Sequence, residues 1–330
     1  MKQPARAILA IDTSGFGESL PLLPSMDALR RAYPNARIVA AATAGTVELL
    51  TSYHLIDDAI NLGAGASGQS IGKTILEELK LAKRTQHMRF DLLLAFSGLS
   101  LVQFLFRFRM RSRIIAPLIK PADLIDPLLG GDAQRRGRGP AAYHSILRQL
   151  GLKPADSDWK IRSSENEDAR FERLLERGEA NPGGRPVAVL YSGGPVTFGW
   201  PFDRFADLAN RLSSGYEARI VICDSPYGSG FTSSMSPLLP KSAIALRAPR
   251  AIEVVAALAR ATIVITDDPG IARFAAQLGA PAIDLSGPVR KGPEGLVYGV
   301  SGDKPQATDA VFDVACEIMQ KSRMASLFRR

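Results

Sequence analysis

Short apolar runs, each closed by polar or glycine-containing turns, recur along this chain. Residues 7–11, 36–41, 91–96, 187–191, 218–222 and 263–266 are largely continuous in apolar side chains rather than alternating. Such runs read as strands buried on both faces, the habit of parallel sheets. Helical stretches lie between them: one closing at Tyr33-Pro34, one over 169–177, one over 202–212, and one that opens at Asp268-Pro269. A last helix over 309–327 carries Val311, Val314, Ala315, Ile318 and Met319 at single-face spacing. Alternation of strand and helix predicts an α/β chain with helices on both faces of parallel sheets. The pattern breaks twice, through the polar run Ser163-Ser164-Glu165-Asn166-Glu167-Asp168 and at Asn181-Pro182-Gly183-Gly184-Arg185-Pro186. The reading is a first domain over 1–165, a second over 186–308 and a closing helix over 309–330.

At 330 residues, 46% hydrophobic and 22% charged, the chain is long enough for two domains with separate cores. Cys223 and Cys316 stand apart from each other and from any histidine, so neither a disulfide framework nor a zinc site is expected. Inert thiols in a reducing cytoplasm are the reading. His54, His87 and His144 fall in no motif. The start of the chain has too short an apolar run for a secretory signal. The longest apolar stretch, 92–106, is interrupted at Ser97-Gly98 and is too short for a membrane span; a strand, a turn and a helix are expected there. The net charge is +8, and residues 81–140 hold eleven Lys and Arg against four Asp. A basic region of this kind attracts anions. Nucleic acid is not the expected partner, because no binding motif or interleaved aromatic platform accompanies the charge. An anionic, membrane-borne acceptor fits better, although a solvated loop accounts equally for Arg135-Arg136-Gly137-Arg138.

Candidate chemistry sits at three strand ends. In the first, Asp268 suits a helix N-cap, Pro269 suits the first helical position, and Gly270 permits close approach to a ligand. Unpaired N–H groups and the positive end of a helix dipole at such a turn suit a phosphate. The second follows residues 187–191 as Ser192-Gly193-Gly194-Pro195. The third follows residues 7–11 as Asp12-Thr13-Ser14-Gly15-Phe16-Gly17-Glu18. It is not a dinucleotide fingerprint, since Leu20 stands where a third glycine belongs. It is not a P-loop either, since Glu18 stands where lysine would meet phosphate.

Together the three segments resemble glycosyltransferase family 9, the ADP-heptose:lipopolysaccharide heptosyltransferases. The resemblance runs through Gly17-Glu18, Leu23-Pro24-Ser25-Met26, Leu29-Arg30 and Tyr33-Pro34. It continues in Trp200-Pro201 with Arg204-Phe205-Ala206-Asp207-Leu208-Ala209, then in Asp268-Pro269-Gly270-Ile271-Ala272-Arg273 and the segment 274–281 that follows. The chain departs from the family at five side chains. Glu18 replaces aspartate, Phe198 replaces lysine, Arg273 replaces histidine, Asp12 replaces arginine, and Pro269 replaces serine or threonine. Glutamate keeps a carboxylate, and arginine keeps a cation with bidentate reach; phenylalanine keeps neither charge nor donor.

The resemblance implies a GT-B type fold, two Rossmann-like doubly wound domains facing a cleft, with the closing helix packed back on the first domain. It implies a nucleotide-sugar donor, ADP-heptose in the family, at Ser192, Gly193, Gly194, Asp268, Pro269, Gly270, Ile271 and Arg273. It implies an acceptor near Ser14, Gly15 and Gly17, with Arg107, Arg109 and Arg111 meeting its charge, and Glu18 as the base. The implied reaction is inverting, uses no metal and no cofactor, and serves bacterial lipopolysaccharide or another envelope glycan. The enzyme would be cytoplasmic, at the inner face of the membrane. A catalytically degenerate relative, acting as a binding or scaffold protein, is the competing reading; Phe198 and Pro269 favour it.

Overall fold

The computed structural model describes residues 5–62, 81, 83–85, 87–97, 113–115, 140–153, 165–176, 185–193, 200–227, 230–286, 296–299 and 308–327. The chain divides into two compact units, Met1–Trp159 and Lys160–Arg330.

The first unit is built on a sheet of five strands: β1 (Ala7–Ile11), β2 (Arg37–Ala42), β3 (Asp58–Asn61), β4 (Leu92–Ala95) and β5 (Arg113–Ile115). Their order is β3-β2-β1-β4-β5, and every pairing is parallel. Ile8, in the central strand, sits beside Ile38 on one side and Leu92 on the other. Both faces of β1 are covered, so Ile8, Leu9, Ala10 and Ile11 are all buried, which is why this strand reads as a continuous apolar run. The helices are α1 (Phe16–Ser19), α2 (Leu22–Ala32), α3 (Ala44–Ser52) and α4 (Pro140–Gln149). Helix α2 buries Leu22, Leu23, Met26 and Leu29, a stripe at helical spacing, and α4 packs against it. The helix expected after the 91–96 run lies outside the described residues.

The second unit carries six strands: β6 (Val187–Ser192), β7 (Arg219–Asp224), β8 (Ile244–Leu246), β9 (Ile263–Thr266), β10 (Ala282–Asp284) and β11 (Val297–Gly299). Their order is β11-β10-β9-β6-β7-β8, again all parallel. Its helices are α5 (Glu165–Glu176), α6 (Phe202–Tyr216), α7 (Phe231–Met235), α8 (Ala251–Arg260), α9 (Pro269–Gln277) and α10 (Thr308–Leu327). One core joins Leu190, Ile222 and Ile265 of the sheet to Phe205, Leu208 and Leu212 of α6. Each fully buried side chain of this size contributes about 1.5–3 kcal/mol through the hydrophobic effect. Trp200 is buried here, edge-on to Phe205 of α6 with ring centroids 5.0 Å apart.

Two helices, the first and last of the second unit in sequence, are positioned by contacts that the apolar pattern alone does not give. Helix α10 buries Val311, Ala315, Ile318 and Met319 in this core and lies against α6, β9 and β10. The charged helix α5 also belongs to this unit, because it packs on α8. Arg260 of α8 meets Glu172 at 3.1 Å and Asp168 at 3.8 Å, and Arg170 meets Glu253 at 3.2 Å. The division between the two units, after Trp159, lies ahead of the polar run 163–168. Among the described residues, no helix is long and apolar enough to cross a membrane.

Candidate functional site

A parallel sheet wound in both directions opens a crevice at the carboxyl ends of the two strands where the winding reverses. In the second unit those strands are β6 and β9; in the first they are β1 and β4. All three segments singled out in the sequence leave such strands.

In the second unit, Ser192 ends β6, and its hydroxyl donates to Asp267 Oδ2 at 2.9 Å, just past β9. Burial raises the Asp267 carboxyl above its ordinary value, and the Ser192 hydroxyl and the Gly193 N–H pull it partly back. Gly193 follows, in close contact with Asp268: a β-carbon there would lie 2.8 Å from Asp268 Oδ2 and 3.2 Å from the Tyr191 ring. Glycine leaves room for this approach. Tyr191 is fully buried beneath it, and its hydroxyl has no hydrogen-bond partner among the described residues. Burial and then the neighbouring Asp268 hold the phenol well above its ordinary value, so it stays protonated.

Asp268 is the N-cap of α9, as its residue type predicts. Its Oδ1 accepts the N–H groups of Gly270 at 2.8 Å and Ile271 at 3.1 Å. Its carbonyl accepts the Ala272 N–H at 3.0 Å, and Pro269 has no N–H to offer. The expectation of unpaired N–H groups at this turn is therefore corrected: the first turn of α9 is satisfied from within the chain. The helix dipole remains, but its positive end already faces a carboxylate. Arg273 is exposed on the next turn of α9, and Ile271 is buried.

Asp224 was not singled out in the sequence. It ends β7, where an acidic residue in dinucleotide folds meets a ribose. Here both its oxygens serve Thr232, Oδ1 taking the N–H at 2.9 Å and Oδ2 the hydroxyl at 2.7 Å. This ties down α7. A cavity of about 210 Å³ opens elsewhere in the second unit, between α5, β8 and the start of α8. It includes neither Ser192 nor Asp268.

In the first unit, Thr13 and Ser97 join the ends of β1 and β4: the Thr13 N–H and hydroxyl both reach Ser97 Oγ, at 2.9 and 3.0 Å. Asp12 is buried. Its Oδ1 accepts the Ser14 N–H at 3.0 Å, and its Oδ2 accepts the Tyr143 hydroxyl at 3.0 Å. Burial, and then the Asp12 charge, keep the Tyr143 phenol well above its ordinary value. Ser14 and Gly17 are buried, whereas Glu18 is exposed. Glu18 is thus the acidic side chain that this turn presents to solvent. Tyr143 was missed in the sequence because nothing local marks a tyrosine whose partner lies 131 residues away. Gly194, Phe198, Arg107, Arg109 and Arg111 lie outside the described residues. Among the described residues, no group of three or more His, Cys, Asp or Glu is arranged to hold a metal ion.

The sequence matches no protein family profile and no curated protein. Solved structures do match over nearly the whole chain. A glycosyl transferase family 9 protein of Veillonella parvula has a TM-score of 0.65 at 14% identity, covering 97% of this chain and 99% of that one. An Escherichia coli heptosyltransferase with ADP-2-deoxy-2-fluoro heptose has a TM-score of 0.57 at 17% identity, covering 94% and 99%. A UDP-GlcNAc 2-epimerase of Neisseria meningitidis, bound to UDP-GlcNAc, has a TM-score of 0.54 at 14% identity, covering 95% and 91%. At these identities the likeness establishes the fold: two Rossmann-like α/β units of GT-B type. The same fold serves transferases and epimerases, so it does not by itself choose a reaction.

Proposed function

We propose that this protein is a divergent glycosyltransferase of the family 9 type, moving a sugar from a nucleoside-diphosphate donor to a hydroxyl of an envelope glycan. The observation that carries the reading is positional. Each of the three segments that resemble the family follows a strand at a winding reversal, β1, β6 or β9, where ligands of such sheets bind. The second unit holds the donor at Ser192, Gly193 and the start of α9, and ADP-heptose is the first donor to test. The first unit presents the acceptor and Glu18. Glu18 takes the proton of the acceptor hydroxyl as its oxygen attacks the anomeric carbon, with inversion and without a metal. Arg273 and the α9 dipole stabilise the charge of the departing diphosphate. A lipopolysaccharide-type acceptor would bring the enzyme to the inner face of the bacterial membrane, where the basic 81–140 stretch meets anionic lipid.

A second reading, a non-catalytic relative with a binding role, is favoured by one observation. The first-turn donors of α9 that a diphosphate would use are already hydrogen-bonded to Asp268.

Calorimetric titration with ADP, GDP and UDP, with Arg273→Ala as control, separates the two. Micromolar binding of one nucleotide, lost in Arg273→Ala, supports the transferase and names the base of its donor. Absence of binding by all three sinks the donor site and leaves the binding protein.

A further inference from the structure

We propose that Tyr143 is a positioning residue for Glu18, acting through Asp12 and the Glu18 backbone; this rests on the reading of Glu18 as the base. Helix α1, which carries Glu18, is only four residues long, and its N-cap Gly15 supplies no side-chain hydrogen bond. A single turn of helix has no stability of its own, so long-range contacts must fix where Glu18 points. Two sets of contacts, each with a long-range member, are present. On one side, the Ser19 hydroxyl donates to the Phe16 carbonyl at 2.9 Å and meets Thr46 Oγ1 at 2.5 Å, and Thr46 in turn meets Thr43 at 2.9 Å. On the other side, the Tyr143 hydroxyl reaches Asp12 Oδ2 at 3.0 Å and the Glu18 carbonyl at 3.3 Å. One phenolic proton is shared between two acceptors, at the first and last residues of the turn.

Tyr143 is well placed to act as a fixed post. It is fully buried, and its ring stands edge-on to Phe96 with centroids 5.5 Å apart. Its helix, α4, packs on α2, the helix that follows α1. Asp12, the other half of the pair, is one of the side chains at which the chain departs from the family it resembles. A base displaced by about 1 Å loses on the order of 100-fold in rate. The hydroxyl therefore matters to catalysis without touching substrate.

The experiment compares the full chain with Glu18→Gln, Tyr143→Phe and the double variant. With de-acylated lipopolysaccharide core supplied as the acceptor, release of nucleoside diphosphate is followed from ADP-heptose, GDP-mannose and UDP-N-acetylglucosamine, and amide hydrogen exchange is followed over residues 15–20. Phenylalanine keeps the ring and its packing, and urea unfolding of each variant checks that the fold is retained. Tyr143→Phe is expected to lower turnover by about 10- to 100-fold, with an unchanged donor KM and faster exchange over 15–20. In the Glu18→Gln background it should cost nothing more, because both changes disable the same group. Equal losses in both backgrounds, no loss at all, or unchanged exchange each overturn the proposal. An unaffected Glu18→Gln, or no turnover of any donor, overturns the reading of Glu18 and this proposal with it, while the exchange data still report whether Tyr143 holds the turn.

Discussion

The contact between Gly193 and Asp268 is where a single methyl group decides most. A side chain at 193 would meet Asp268 Oδ2 at 2.8 Å and press on the carboxylate whose other oxygen caps Gly270 and Ile271. Gly193→Ala is expected to destabilise by about 1 kcal/mol, the usual worth of an N-cap, and to cost little once Asp268→Ala has removed that cap. Urea unfolding of the two single variants and the double variant measures this; full additivity would show that the contact is not what makes alanine costly. Tyr191 offers the opposite case. A buried hydroxyl without a partner carries a desolvation cost that nothing offsets. Tyr191→Phe should leave stability unchanged or raise it by up to about 1 kcal/mol. A loss of that size in the same unfolding assay would mean that the hydroxyl is partnered. Asp268 as a cap was legible in the sequence, because a cap bonds to its own next residues. The close approach that demands Gly193 was not, because Asp268 lies on a different strand end.

Among the elements, the junction of α2, β2 and β3 rests on Asp57. Its Oδ2 receives Arg30 Nη2 at 2.6 Å and the Ile38 N–H at 2.7 Å. Burial alone would raise this carboxyl, but the Arg30 and Ile38 hydrogen bonds and the nearby arginine charges outweigh it and lower it below the ordinary 3.8. A carboxyl held lower in the folded state adds stability that is present above 3.8 and is lost as pH falls through the lowered folded value. Asp57→Asn is therefore expected to be less stable than the parent near neutral pH, with the gap closing below pH 3.8. Unfolding free energies across that range test it, and a gap independent of pH would rule the ion pair out as its source. Element limits were mostly legible: the apolar run 7–11 is β1 to the residue, and 187–191 falls one short of β6. The helix expected over 202–212 runs a full turn further, to Tyr216, and ends where Glu217 adopts a φ of +52°. Past Leu212, the Ser214 hydroxyl bonds back to the Asn210 carbonyl at 2.9 Å, which lets serine remain in a helix.

At the scale of the whole molecule, two apolar clusters of the described residues each lie within one unit. One joins β1, β2, β3 and β4; the other joins the second sheet to α6, α7 and α10. The fragment Lys160–Arg330 is therefore expected to fold alone, with helical circular dichroism and one cooperative urea transition. A fragment without such a transition would show that the second core depends on the first unit. The sequence by itself determined the α/β alternation, the strand runs, the Asp268 cap and the two-unit organisation. These follow from hydrophobic period and from chemistry within a few residues of each position. Tertiary structure alone decided which strand ends are neighbours. The pairing of β6 with β9 brings Ser192 to Asp267, that of β1 with β4 brings Thr13 to Ser97, and the packing of α4 on α2 accompanies Tyr143 against Asp12. Such contacts join residues from 75 to 131 positions apart, and only the strand order and packing of the folded chain bring groups so distant in sequence within hydrogen-bonding range.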